Sequence, residues 1–176
     1  MITIDVVCPL CCADNYIDQL IADIQKQENV TIGNVIFALT EEGDTSAVKN
    51  RISSVGYTFF SVKKEEFSHS LTREKAIFEY CRNDIVIMLS QDVNVLNADA
   101  FYELAKNVNQ EVVYAYGRQI CKKKTIEYYV RNKNYGEKSF VVTQADVEKL
   151  QLKAFFASDA FAAYYRPAFV ALNGYD

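Results

Sequence analysis

Short apolar runs alternate with helical stripes through the first two thirds of the chain. Residues 3–8, 34–39, 57–62 and 85–89 are rich in β-branched and aromatic side chains, the last reading Ile85-Val86-Ile87-Met88-Leu89 with no polar interruption. Continuous runs of this kind mark strands covered on both faces, as in a parallel sheet. Between the first two, Ile17, Leu20, Ile21 and Ile24 recur at three- and four-residue spacing. That spacing predicts a helix over 16–26, with Asp14 or Asn15 placed to cap it. Pro9 should end the first strand, since it has no N–H for a ladder. A second short helix, with Ala47, Val48 and Ile52 inward, leads through Gly56 to the third strand. Ser70 or Thr72 then opens a helix with Ala76, Ile77 and Tyr80 on its apolar face, and Asn83-Asp84 turns the chain into the run at 85–89. Strands alternating with helices predict an α/β fold, a Rossmann-type, mostly parallel central sheet flanked by helices.

The second half begins in the same rhythm. Asp99 heads a helix with Phe101, Leu104, Ala105 and Val108 on one side, and residues 112–116 are strand material. After Gly117 the rhythm breaks into Lys122-Lys123-Lys124, Glu127-Tyr128-Tyr129-Val130-Arg131 and Asn134-Tyr135-Gly136, for which a helical excursion is expected. The lysines read as a solvated turn, with an anionic membrane or acceptor as the other use of such a run. Residues 160–165 form a late strand, and Pro167 suits the first turn of a helix that reaches Leu172 and stops at Asn173-Gly174. No repeat, low-complexity tract or linker interrupts the chain, so residues 1–176 are expected to be one domain.

Composition narrows the function classes. A formal net charge of −4 argues against broad nucleic-acid binding, which draws on a basic surface. No apolar stretch approaches the roughly 20 residues that cross a bilayer, and the N-terminus lacks a basic n-region. Five cysteines, an odd number, favour reduced thiols over a disulfide framework, and a cytoplasmic location is expected.

The residues with the most chemical content cluster around the fourth strand. Ser90-Gln91-Asp92 follows the apolar run at 85–89, which puts a carboxylate where open α/β sheets bind ligands, outside the carboxyl ends of the strands. Phe67-Ser68-His69-Ser70-Leu71-Thr72-Arg73 lies upstream and Gly117-Arg118-Gln119 follows the next strand. Together these segments resemble the family 2 glycosyltransferases of GT-A type, and within them a rhamnosyltransferase-like subgroup in which F-x-H-G-G-T-R-N precedes a strand ending in T-Q-D. Further matches are Glu127, Asn134-Tyr135 and Phe155-Phe156-Ala157-Ser158 with Ala160. Ser90, Ser70 and Glu74 depart from the motif, standing where the subgroup has Thr, Gly and Asn.

The resemblance implies inverting transfer of a sugar, such as rhamnose, from a nucleoside-diphosphate sugar to a saccharide or lipid-linked saccharide acceptor. Work of this kind is expected at the inner face of the membrane, with peripheral association. Asp92 would hold Mg²⁺ or Mn²⁺, a hard ion that takes oxygen ligands and offsets charge on a departing diphosphate. Arg73, His69 and Gln91 would contact the donor, and Pro9, Leu10 and Cys12 would frame its base and ribose. Glu41, with Asp44 second, would meet the base or ribose from the acidic loop Glu41-Glu42-Gly43-Asp44. Arg118, Gln119 and Asp159 fall on the acceptor side, Asp159 replacing an Asn common there. The family's base comes from an acidic pair somewhat beyond the segment that here reads Asn173-Gly174-Tyr175-Asp176. The chain is therefore expected to lack the C-terminal part of its domain, leaving Asp159 and Asp176 as base candidates. A nucleotide-sugar-binding degenerate transferase is the alternative.

Cys8-Pro9-Leu10-Cys11 supports a reading of another class. A C-P-x-C between strand and helix resembles a glutaredoxin-type motif, in which a helix N-terminus lowers a thiol pKa. The only other proline, Pro167, lies in helical sequence rather than in a loop facing that motif. Zinc has neither a second C-x-x-C nor more than one histidine to complete a structural site.

Overall fold

A computed structural model describes residues 1–121 and 124–175. Along the chain they form β1 (Ile2–Leu10), α1 (Ile17–Gln25), β2 (Val30–Glu41), α2 (Ser46–Ser54), β3 (Thr58–Lys63), α3 (Leu71–Lys75), β4 (Ile85–Leu89), α4 (Ala100–Ala105), β5 (Tyr114–Tyr116), α5 (Ile126–Asn134), α6 (Val147–Leu150), β6 (Phe161–Tyr165) and α7 (Arg166–Ala171). The strands make one sheet in the order β3-β2-β1-β4-β6-β5. Pairings among β3, β2, β1 and β4 are parallel, while β6 runs antiparallel to both β4 and β5. This is the mostly parallel α/β sheet that the alternation predicts.

The pleat sorts each strand between two cores. Ile4, Val6, Cys8 and Leu10 of β1 join Phe37 and Leu39 of β2 under α1, α2 and α4, where Leu20, Ile21, Ile24, Ile52 and Phe101 are almost fully buried. Val7, Ile36, Ala38, Val86 and Met88 face the opposite side, against Ala76, Ile77 and Phe169. Both faces of the central strands are thus covered, which is why their sequences lack the alternation of a half-exposed strand. Each fully buried aliphatic or aromatic side chain contributes roughly 1.5–3 kcal/mol.

One acid lies inside this apolar frame. Asp5 is fully buried and accepts hydrogen bonds from the backbone N–H groups of Asn34, Arg82 and Asn83 (2.8, 2.5 and 2.8 Å) and from the side-chain amides of Asn34 and Asn83. Burial alone raises a carboxyl pKa; these donors outweigh it and hold Asp5 below the usual carboxylate value. Asp5 therefore ties β1 and β2 to the turn that enters β4.

Several local expectations change. Pro9 does not end β1: it pairs with Ala38 of β2, while pairing with β4 has already stopped at Val7, so β1 has a neighbour on only one side there. Neither Asp14 nor Asn15 caps α1; both sit in a 3₁₀ turn, Ala13–Asn15, that precedes it. Ala47 is exposed, leaving Val48 and Ile52 to bury α2. Ser70 flanks α3 without a side-chain cap bond, and the helix continues as a π turn, Ala76–Tyr80. The strand expected over 112–116 narrows to β5. Residues 126–134 are helical as expected, and of the lysine run Lys122 and Lys123 lie outside the described residues. Gly117 is required by close approach, because a Cβ there would fall 2.3 Å from the Phe161 ring.

Candidate active site

Strand order places the site. β1 has β2 on one side and β4 on the other, so the chain's connections diverge between β1 and β4 and leave a crevice past their carboxyl ends. Cys11 and Cys12 follow β1 there, and Gln91 and Asp92 follow β4. A cavity of about 300 Å³ opens beside them, lined by Asn15, Tyr16, Gln19, Gln91, Asp92 and Asn94 among others. A second cleft, about 270 Å³, lies around Gly33, Asn34, Gly56 and Tyr57 at the other end of the strands and holds no carboxylate, guanidinium or thiol.

Arg73 and Asp92 both act electrostatically on the carboxyl-terminal half of β1. Arg73 is 8% exposed; one guanidinium nitrogen donates to the His69 carbonyl at 2.6 Å, while its Nε is buried with no partner among the described residues. Asp92 is exposed and has neither a hydrogen bond nor an ion pair among the described residues. Both act on the Cys8 thiol, Arg73 favouring its ionisation and Asp92 opposing it, which puts both charges around the carboxyl-terminal half of β1. A buried guanidinium with a free donor invites an anion, and a free carboxylate nearby suits a hard cation. The set fits Mg²⁺ or Mn²⁺ as one carboxylate supplemented by water and ligand oxygens. His69 itself is exposed, its ring edge-on to Phe67 at 5.1 Å, so its backbone rather than its imidazole holds Arg73.

The remaining candidates divide by what already occupies them. Gln91 exchanges two hydrogen bonds with the Cys11 backbone. The Leu10 side chain is 1% exposed and taken up by the core, Pro9 is half-buried, and Cys12 is exposed in a left-handed conformation, φ 49°. Glu41 accepts from Lys49 at 3.2 Å and also from Ser61, which leads in lowering its pKa. Asp44 accepts the Ser46 N–H at 2.9 Å and so starts α2. Glu42, passed over in the sequence for Glu41 and Asp44, is the acid that faces the end of β1: its carboxylate meets Cys11 Sγ at 3.4 Å. Strand position could have revealed this, because Glu41 still pairs within β2 and Glu42 is the first residue past it.

On the far side, Asp159 is the centre of a tyrosine cluster. Hydroxyls of Tyr164, Tyr175 and Tyr114 donate to it at 2.6, 3.1 and 3.4 Å. Burial, then the neighbouring charge and hydroxyls, push the pKa values of these phenols well up, so they stay protonated donors. Three hydroxyl donors thus occupy both oxygens of the carboxylate. The Tyr175 N–H also donates to Glu74 at 3.0 Å, which sets the cluster beside α3, the helix that carries Arg73. Gln119 donates to Ser158 Oγ at 2.6 Å, Arg118 is exposed, and Asp176 lies outside the described residues.

The dithiol reading does not survive the fold. Cys8 is fully buried inside β1, and burial drives its pKa far up, opposite to an activated thiol. Cys11 is pushed up to about 11 by burial and by its contact with Glu42.

A mostly parallel sheet in this strand order, flanked by helices and open past β1 and β4, is the α/β architecture of the GT-A glycosyltransferases. Comparison with known proteins gives the family. The mannosyltransferase PcManGT from Pyrobaculum calidifontis, solved with GDP-Man and Mn²⁺, matches 98% of this chain and 47% of its own with a TM-score of 0.65 at 16% identity. In sequence, the O-antigen chain rhamnosyltransferase RfbN of Salmonella typhimurium is 35% identical over 121 residues, 67% of this chain and 38% of RfbN. WbaN of Salmonella anatum, also an O-antigen chain rhamnosyltransferase, is 32% identical over 154 residues, 86% of this chain and 48% of WbaN. No family model matches. The chain belongs to the GT-A glycosyltransferases of the rhamnosyltransferase-like group. It spans less than half the length of these curated relatives.

Proposed function

We propose that this chain carries the donor-binding part of a glycosyltransferase that moves a sugar from a nucleoside-diphosphate sugar to a saccharide or lipid-linked saccharide acceptor. The observation that carries the reading is Arg73, buried with an unpartnered Nε at the crevice that also holds the unpaired Asp92. Arg73 would bind the diphosphate with its planar fork, and Asp92 would hold Mg²⁺ or Mn²⁺, which supplies compensating positive charge when bound. Gln91 fixes the loop after β1 against which the base and ribose would lie, and Glu42 is a better placed acid for them than Glu41. Rhamnose is proposed as the transferred sugar because RfbN and WbaN are rhamnosyltransferases by name. Inverting transfer follows from the family resemblance. It requires a carboxylate within reach of the acceptor hydroxyl.

Asp159 is better suited to positioning Tyr164 and Tyr175 beside the crevice than to taking that proton. Residues 1–176 are proposed to act as one unit that binds the donor. Action in the cytoplasm, peripherally at the inner face of the membrane, belongs to the same proposal. No helix among the described residues is long and apolar enough to cross a membrane. The test is calorimetry of the chain with nucleoside diphosphates of each base, with and without Mg²⁺ or Mn²⁺. Metal-dependent binding of at least one supports the reading. No binding of any, in a folded sample, overturns it.

A further inference from the structure

We propose that Cys11, Cys12 and Glu42 form a second cation site, selective for a thiophilic divalent ion of the Zn²⁺ kind and separate from the oxygen-ligand site at Asp92. The two sulfurs and a Glu42 carboxylate oxygen all lie within 4.8 Å of one another. Around tetrahedral zinc, with Zn–S near 2.3 Å and Zn–O near 2.1 Å, a sulfur and an oxygen ligand sit about 3.6 Å apart. Cys11 Sγ and Glu42 Oε2 are already at 3.4 Å. The exposed Cys12 thiol lies within 4.8 Å of both, close enough for one ion to be shared.

The backbone explains why adjacent cysteines share one side. Successive side chains in a strand point to opposite faces, but Cys12 leaves β1 in a left-handed turn, φ 49° and ψ 50°, which breaks the alternation. Gln91 pins the Cys11 backbone, so one ligand is held in place before any ion arrives. Glu42 divides its oxygens: Oε1 accepts from Lys64, while Oε2 faces the thiol. Lys64 can therefore orient the carboxylate without competing for the coordinating oxygen, as outer partners of metal ligands commonly do. Two thiolates and one carboxylate leave a fourth position for water. This donor set prefers Zn²⁺ to Mg²⁺, because soft sulfur is a poor ligand for a hard ion. Binding displaces the two thiol protons to solvent, so affinity rises with pH.

Titration of the chain with Co²⁺ tests this, since thiolate-to-cobalt charge transfer gives an absorption that oxygen ligands do not. The expected result is one equivalent with that absorption, displaced by Zn²⁺ and not by Mg²⁺. Replacing both thiols (Cys11→Ser with Cys12→Ser) should weaken Zn²⁺ by roughly 100-fold or more, and Glu42→Gln by roughly tenfold. Asp92→Asn and Cys121→Ser should leave it within about twofold of the parent. On the unsubstituted chain, Zn²⁺ should slow alkylation of Cys11 and Cys12, read residue by residue by mass spectrometry. Absence of the sulfur–cobalt absorption, parental affinity in the double variant, or unchanged alkylation at both cysteines would overturn the site. Nucleotide binding is read on the unsubstituted chain, where its absence would count against the donor site and leave the sulfur–cobalt absorption untouched, so the two proposals fail separately.

Discussion

Gln91 and Cys11, 80 residues apart, exchange two hydrogen bonds: the Cys11 N–H donates to Oε1 at 2.7 Å and Nε2 donates to the Cys11 carbonyl at 2.8 Å. A side-chain amide here does what a further ladder rung would do, joining β1 to β4 just where their own pairing has stopped at Val7 and Met88. The crevice floor is thereby fixed by a residue that sequence reading assigns to ligand contact.

Gln91→Ala should accordingly lower unfolding free energy by about 1–2 kcal/mol, the net worth of two such bonds, in urea denaturation. It should also speed hydrogen exchange at Cys11. Gln91→Glu should be worse than Ala, because an acceptor oxygen would then face the Cys11 carbonyl.

Asp92→Asn is expected to remove metal-dependent affinity for nucleoside diphosphates by at least about tenfold, or ~1.4 kcal/mol, with little change in melting temperature. An exposed carboxylate with no hydrogen bond contributes little to the fold. Calorimetry with and without Mn²⁺ measures the first and thermal denaturation the second.

Arg73→Met separates stability from binding. A buried guanidinium with an unpartnered Nε is a burden on the ligand-free chain, so an apolar side chain of similar length should leave its melting temperature unchanged or raise it. The same variant should lose most diphosphate affinity, and Arg73→Lys should recover only part, since an ammonium lacks the planar fork. A large drop in melting temperature for Arg73→Met would show that the residue is structural.

Asp5 gives the chain a pH dependence. Its folded pKa is below the ordinary value of 3.8, so its stabilising contribution is present above about pH 4 and is lost as pH falls through the folded value. Asp5→Asn should cost about 2–4 kcal/mol at pH 7, because an amide presents donors to groups that are themselves donors. The gap between parent and variant should shrink as pH drops below 4, measured by urea denaturation across that range.

Cys8 and Cys11 should form no rapid disulfide in a glutathione buffer, as followed by mass spectrometry. The Cys8 thiol is enclosed by the core above β1, and reaching it requires the strand to open.

The sequence by itself determined the strands buried on both faces and the helices that cover them. Runs such as Ile85 to Leu89 and the stripe of Ile17, Leu20, Ile21 and Ile24 are local and periodic, and burial follows from them directly. It also determined that Asp92 follows a central strand and that Arg73 precedes one, which is enough to mark a ligand crevice. Pairings across long separations were decided only by tertiary structure. Nothing local says that Gln91 would bind the backbone at Cys11, that Glu42 rather than Glu41 would face the end of β1, or that Tyr114, Tyr164 and Tyr175 would converge on Asp159. The physical reason is that a polar side chain past a strand end has several partners of similar strength in reach. Strand order and register select among them, and these emerge from packing the whole sheet.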